Sequence, residues 1–513
     1  MMQASRSQSK ESSDSGNYDN KTILFILSLF ALGVIARALV FRDFGGFSND
    51  DSAYVGMAKS ILAGRGLYLD GDSSPHTLFP PGYSAFLALQ KQLLGSFIDV
   101  KAFEYIFLTG IYSLLGVSLC RALRLEMKYT YIAVCFLSPV LILGAATLSI
   151  ASEIWFSILV TCGMILCVRY WKTEHVLNLL LCNFFFAASY LVRPEGLAFF
   201  SSSILAVVLV IRRWAALRIG PGFCKRLFHI LLSFAAPVAM LILPYIHFLY
   251  VNIGHVTISG KDSFNKQLVE GMFPSYAQQL ASNSLSLLRV LFISPHFLGP
   301  VFSLLIILSL WAFVVNFRGL LKRGYPWGAL VIVMAPVFIV LASLLRYLPW
   351  ARAVYPLIPL LCIGCISLLS CQDRVSFDWL LKRDFSLALA VVASSLSIFL
   401  FAMIGGRFDE NPKIYYQLVD GLSLNPGVES VYSRNSTIAQ YNERIKVCTR
   451  IADCTPETKH ALLSNSTHNS LSALGEWEAN AIKSGQFLLE GKACKRSSMY
   501  ARGKYRFAAF ECK

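Results

Sequence analysis

Residues 154–213, IWFSILVTCGMILCVRYWKTEHVLNLLLCNFFFAASYLVRPEGLAFFSSSILAVVLVIRR, hold three apolar runs, at about 154–168, 176–192 and 196–211. The breaks between them are short and charged: Arg169, Lys172 and Glu174 in the first, Arg193 and Glu195 in the second. Runs of this length match the hydrocarbon core of a bilayer, which takes about 20 residues of α-helix to cross. Further runs at about 22–41, 103–120, 129–148, 228–250, 297–316, 327–345, 353–370 and 385–404 bring the expectation to eleven transmembrane helices. Composition agrees. The 513 residues are 55% hydrophobic and only 15% charged, with a mean hydropathy of +0.56. That excludes a cytosolic enzyme, a disordered chain and a secreted disulfide scaffold. The expected fold class is an all-α polytopic membrane protein.

The net charge of +16 follows the membrane too. Alternate connections carry Arg121, Arg124 and Lys128, then Arg169 and Lys172, then Arg212, Arg213 and Arg218, while the opposite turns hold Arg193, Arg346 and Arg352. Cytoplasmic loops collect Lys and Arg, so the N-terminus is expected in the cytoplasm and, after eleven spans, the C-terminus outside. The charge is therefore assigned to orientation and anionic head groups, and no nucleic-acid partner is expected. Residues 1–21 are Ser-rich and polar, read as a disordered cytoplasmic tail; 22–404 form the membrane domain, with long outer loops at 42–102 and 251–296.

The segment 405–513 turns polar. VESVYS and YRFAAFEC read as strands beside the amphipathic run SALGEWEANAIKS, a small α/β domain on the outer side. Of thirteen cysteines, nine lie in or beside apolar spans and behave as small hydrophobes. Cys448, Cys454, Cys494 and Cys512 fall in this outer domain, where cysteines in even number usually pair. Cys448 with Cys454 and Cys494 with Cys512 is the preferred connectivity of the three possible; a zinc site is the rival, lacking two-residue ligand spacing.

The first outer loop carries the most chemistry. Asn49-Asp50-Asp51-Ser52 opens an amphipathic stretch with Tyr54, Met57, Ala58, Ile61 and Leu62 on one helical face, expected to lie along the membrane surface. Paired carboxylates at the membrane boundary repel each other and lose solvent, which favours a base able to take a proton from a hydroxyl. Helix capping by Asp is the plain alternative. Glu153, at the outer mouth of a tight helix pair, could orient hydroxyls or hold a divalent cation jointly with Asp50; a helix-start acid favoured by the macrodipole is the alternative. Arg193 could contact substrate or simply pair with Glu195. Arg346 and Arg352 could grip a phosphate through paired hydrogen bonds or snorkel to lipid head groups.

NDDSAYVGMAKSILAGRGLY followed by FPPGYSAFLAL, then IASEIWFSILV, YLVRPEGLAFF and RAVYPLIPLL, resemble in order the motifs of the C-type glycosyltransferases of multispanning membranes. That family includes the protein O-mannosyltransferases and the lipid A aminoarabinose transferases, and the resemblance runs from residue 22 to about 370. It implies that Asp50, with Asp51 in place of the family's Glu, is the catalytic acid cluster, and that Tyr54 and Ala58 keep its spacing. Glu153 and Arg193 to Gly196 fall in further motifs, and Arg352, Tyr355, Pro356 and Pro359 match a late Arg-Tyr-Pro pattern. One departure stands out: the Lys that the aminoarabinose transferases place before the paired prolines is Phe79 here.

The implied function is an inverting transfer of a sugar from a polyprenyl phosphate, such as undecaprenyl phosphate, to a hydroxyl of a cell-envelope glycolipid, glycan or protein. The expected setting is a bacterial inner membrane with the site facing the periplasm; in a eukaryotic host the outer side would be the ER lumen, and Asn435-Ser436-Thr437 and Asn465-Ser466-Thr467 would be glycosylation sequons. Lipopolysaccharide is one candidate acceptor, and a divalent cation is left open. A flippase of lipid-linked saccharides would share the hydropathy without needing the acid pair; an oligosaccharide ligase or polymerase would use a different donor.

Overall fold

The structure, a computed structural model, describes residues 49–68, 75–125, 152–216 and 223–260, isolated positions at 31, 130 and between 331 and 367, and strand segments with one serine between 430 and 512. Nine helices are described. α1 (Asn49–Leu62), α2 (Pro81–Leu94) and α3 (Phe97–Phe103) fall in the segment expected to be the first outer loop, and α3 runs through a π turn, Glu104–Leu108, into α4 (Thr109–Leu123). α5 (Ser152–Thr173) and α6 (Val176–Val192) form a hairpin, and a 3-10 turn (Pro194–Phe199) leads into α7 (Phe200–Ala216). α8 (Phe223–Pro237) continues through a second π turn, Val238–Ile242, into α9 (Leu243–Ile253).

Four of these runs are long and apolar enough to cross a bilayer: Asp99–Leu123, Ser152–Thr173, Pro194–Ala215 and Phe223–Ile253. With the shorter apolar helix Val176–Val192 they coincide with five of the eleven expected runs; of the other six, only isolated positions at 31, 130 and between 331 and 367 are among the described residues. α6 stops at Val192 because Pro194 follows. A residue before proline is pushed out of the helical region, and Arg193 is extended at φ −149° and ψ 135°.

One amphipathic helix in a long loop was the expectation for 42–102; that helix is present, two more follow it, and they are built into the core. Val55, Met57, Ala58 and Ser60 of α1 are all buried, whereas Leu62, expected on the buried face, is exposed. α1 is therefore clasped on several sides. The clasp comes from α2. Pro80 and Pro81 start it, Pro81 in the first-turn position where a missing N–H costs nothing. Gly82 then meets the end of α6 so closely that a Cβ there would stand 2.6 Å from the Leu191 carbonyl oxygen. Next in line, Tyr83 is fully buried, its ring edge-on to Tyr54 at 4.8 Å, and its hydroxyl donates to Glu104 Oε2 at 2.7 Å.

Glu104 is a buried carboxylate with its charge well met. Besides Tyr83 it accepts from Gln90 Nε2 at 2.8 Å and from Trp155 Nε1 at 2.8 Å. Three donors from α2 and α5 thus converge on one side chain in the π turn, tying α2 to the bundle.

α5 and α6 pack closely along their hairpin. Gly163 allows it: a Cβ there would lie 2.4 Å from the ring of Phe186, which is itself fully buried. Gly163→Ala is expected to cost about 1–3 kcal/mol through overpacking, read as a lower unfolding midpoint of the protein in mixed micelles; an unchanged midpoint would mean the hairpin has slack.

The basic connections meet at one end of the bundle. Lys172 at the foot of α5 donates to the Ala122 carbonyl near the end of α4. Glu174 accepts from Arg213 at 3.1 Å and from Trp214 Nε1 at 2.6 Å, both on α7, and Arg226 of α8 lies over the Trp214 ring. The opposite end gathers the start of α5, the Arg193 turn and the chain leaving α9: Tyr190 donates to the Ile258 carbonyl at 2.9 Å, and a Cβ at Gly260 would overlap the Thr77 carbonyl.

The described strands of the C-terminal segment form one six-stranded sheet. They are β1 (Ser430–Tyr432), β2 (Lys446–Cys448), β3 (His460–Ser464), β4 (Gln486–Leu489), β5 (Lys492–Arg502) and β6 (Tyr505–Cys512), in the order β2-β1-β3-β6-β5-β4. β1 runs parallel to β2 and β3, and the other pairings are antiparallel. Cys494 is disulfide-bonded and stands opposite Cys512 in the β5–β6 register; Cys448 ends β2, and Cys454 lies outside the described residues.

Candidate active site

At the end of the bundle away from the basic connections, three charged side chains meet. Glu153 is the second residue of α5 and is buried. Arg193 caps α6, its own N–H donating to the Ser189 carbonyl at 2.8 Å. Glu195 sits in the first turn of the 3-10 segment. The guanidinium bridges them: Nη1 donates to Glu153 Oε1 at 2.7 Å, while Nη2 reaches Glu195 Oε1 at 3.2 Å and Nε reaches Oε2 at 3.4 Å. The Phe156 ring lies beneath, 5.8 Å from the guanidinium carbon.

Electrostatics favour this arrangement. Burial works against the arginine's charge, but Glu195 and then Glu153 outweigh it and hold the guanidinium above the ordinary arginine range. It is a permanent cation between two carboxylates. Side-chain exposures of 14% for Arg193, 10% for Glu153 and 28% for Glu195 place Glu195 on the wetter side and Glu153 on the inner side.

α1 reaches the same place. The Tyr54 hydroxyl lies 3.4 Å from Ser152 Oγ, next in sequence to Glu153, and adds a weaker electrostatic contribution at Arg193. Its ring packs on Phe79 at 4.8 Å, and Phe79 stacks on His76. Where the resemblance would put a lysine, this chain therefore has an aromatic wall. Asp50 and Asp51 occupy the first turn of α1, Asp50 one helical turn ahead of Tyr54. Of the residues named from sequence, the structure brings Tyr54, Glu153 and Arg193 together. Arg346, Arg352 and Tyr355 lie outside the described residues.

Two features were not read from sequence. Arg193 had been weighed as either a substrate contact or the partner of Glu195; it bridges Glu195 and Glu153 together. The Glu104 network also went unnoticed, although a Glu inside the run at 103–120 was the available signal, since an acid at that depth needs partners. Among the described residues no group of three or more His, Cys, Asp or Glu side chains converges as a metal would require, and one oxygen of Glu153 is already committed to Arg193.

No protein-family profile and no curated protein sequence matches the chain. Solved structures do. ArnT from Cupriavidus metallidurans bound to undecaprenyl phosphate superposes with a TM-score of 0.58 at 12% identity, over 95% of this chain and 98% of that one. The apo state of the same protein gives a TM-score of 0.56 at 13% identity, over 96% and 98%. The chain shares the ArnT fold. The resemblance to C-type glycosyltransferases drawn from the sequence motifs is thus met at the level of fold, over nearly the whole of both chains. At these identities the likeness speaks for architecture, and the residues of the site must be argued from their own geometry.

Proposed function

We propose that this protein is an inverting glycosyltransferase that moves a sugar from a polyprenyl phosphate to a hydroxyl acceptor of the cell envelope. The observation that carries the reading is the ArnT fold, spanning nearly the whole of both chains, in a protein whose outer-loop motifs led independently to the same family. The ionic site supports it from another direction. It lies at the end remote from Arg213, Lys172 and Arg226, and the positive-inside rule assigns that basic end to the cytoplasm. The site then opens to the periplasm, where nucleotide sugars are absent and a lipid-linked donor is the available one. On this reading the membrane is a bacterial inner membrane, with the C-terminal sheet and its disulfides on the oxidising side, Cys494 bridged to Cys512 across the register and Cys448 to Cys454.

The mechanism follows from the residues. Asp50 takes the acceptor proton, and the oxygen attacks the anomeric carbon as the bond from that carbon to the phosphate oxygen breaks. The polyprenyl phosphate leaves with the electron pair. Asp51 and Tyr54 line the approach, and Glu153, fixed by Arg193, orients the acceptor or the sugar hydroxyls. Arg352, with Arg346 and Tyr355, meets the leaving phosphate through charge-assisted hydrogen bonds. Phe79 cannot serve the phosphate, which makes the late arginines more necessary.

The test uses protein in lipid nanodiscs supplied with radiolabelled undecaprenyl phosphate sugars, hexose and pentose, and a cell-envelope extract as acceptor. Labelled sugar is expected in the extract with stoichiometric release of undecaprenyl phosphate. Movement of intact lipid-linked sugar across the bilayer without release would make the protein a flippase and end this reading.

A further inference from the structure

Glu195 lies beside the site yet on its wetter side, and its geometry is too specific for a surface acid. Its two oxygens face the Nε and Nη2 edge of Arg193 side-on, at 3.4 Å and 3.2 Å. That leaves Nη1 as the edge turned to Glu153, at 2.7 Å. Phe156 closes the face below. The backbone holds the same register. Arg193 N–H is tied to Ser189, Pro194 begins the turn, and Gly196 N–H returns to the Arg193 carbonyl at 2.9 Å. Gly196 lets the turn press on α6, because a Cβ there would stand 2.3 Å from the Tyr190 nitrogen and 2.5 Å from Ser189 Oγ. Arg-Pro-Glu-Gly is thus a short mechanical unit whose output is the direction of one guanidinium edge.

We infer that Glu195 is a positioning residue: by clasping one side of Arg193 it aims the free edge at Glu153 and fixes that carboxylate at the mouth of the active site. This rests on the reading that Glu153 works on substrate. The fork matters more than the charge, since a planar guanidinium can hold two carboxylates in a fixed relation and a lysine ammonium cannot.

Turnover of the labelled donor and binding of undecaprenyl phosphate are compared in Glu195→Gln, Arg193→Lys, Glu153→Gln and the double variant Glu153→Gln/Glu195→Gln. Glu195→Gln preserves shape, and because displacing a catalytic group by about 1 Å can cost on the order of 100-fold, it is expected to lower turnover about 10- to 100-fold. Arg193→Lys should do the same despite keeping its charge. Affinity for undecaprenyl phosphate should stay within about twofold in both. A residue that acts through Glu153 has nothing left to do once Glu153 is changed, so the double variant should turn over no more slowly than Glu153→Gln alone; a merely structural role would add its loss. Glu195→Gln turnover at the wild-type level, or losses that multiply in the double variant, would overturn the inference. If Glu153→Gln itself has wild-type turnover, the role of Glu153 falls and the inference with it; if only Glu195→Gln is silent, the role of Glu153 stands and the positioning is wrong.

Discussion

Asp50→Asn is expected to reduce sugar transfer by about 10²- to 10⁴-fold and to leave the fold and undecaprenyl phosphate binding intact. The substitution separates the two meanings of this position. Asp50 is the second residue of α1, so a merely structural role is a negative charge favoured at the helix N-terminus, worth about 0.3–1 kcal/mol; Asn has nearly the same shape, and in that case the variant should lose a little stability and no turnover. A base loses its function when its carboxylate becomes an amide. The location gives the residue its work: Tyr54, one helical turn further on, reaches Ser152 at 3.4 Å, so the start of α1 is held against the start of α5, where Glu153 is clamped by Arg193. The measurement is donor turnover in nanodiscs beside binding of undecaprenyl phosphate. Full turnover in Asp50→Asn would remove the base from the mechanism, whatever the binding shows.

The parts legible in sequence were those in which one physical variable dominates. Hydrocarbon thickness alone fixed the α5–α6 hairpin and the run Pro194–Ala215, and the charged break at Arg193 had to fall where the chain leaves the bilayer. Alternation marked YRFAAFEC, which is β6 residue for residue. The first outer loop was harder. Its apolar face was readable, but period alone cannot say how many neighbours a helix has, and α1 turned out to be buried on several sides because α2 folds back over it. That return depends on Gly82 meeting Leu191, a contact more than a hundred residues away along the chain. The site divides in the same way. Glu153 and Arg193 stood out as charges beside apolar runs, whereas their pairing, 40 residues apart in sequence, is a product of the hairpin. Local sequence had suggested Arg193 with Glu195, and that pair is real; what it could not supply was the second carboxylate on the same guanidinium.

The second large effect concerns stability, and it follows from that shared guanidinium. Arg193→Ala leaves Glu153 and Glu195 at the same end of the bundle with their common cation gone, and Glu153 is only 10% exposed. Removing one partner of a buried pair strands the other charge, at a cost of about 3–5 kcal/mol, well above the loss expected at Gly163. Dispersion against Phe156 is lost too. Neutralising the stranded acid should recover much of this, so Arg193→Ala/Glu153→Gln is expected to be more stable than Arg193→Ala, with a coupling of about 1–3 kcal/mol between the two positions. Unfolding midpoints of the four proteins in mixed micelles close the cycle. Purely additive losses would mean that the 2.7 Å contact carries no net energy, and the clamp would then be a matter of geometry for catalysis and not of stability. Coupling of the expected size, together with lost turnover in both single variants, would mean that one arginine both holds this end of the bundle together and aims the acid that works there.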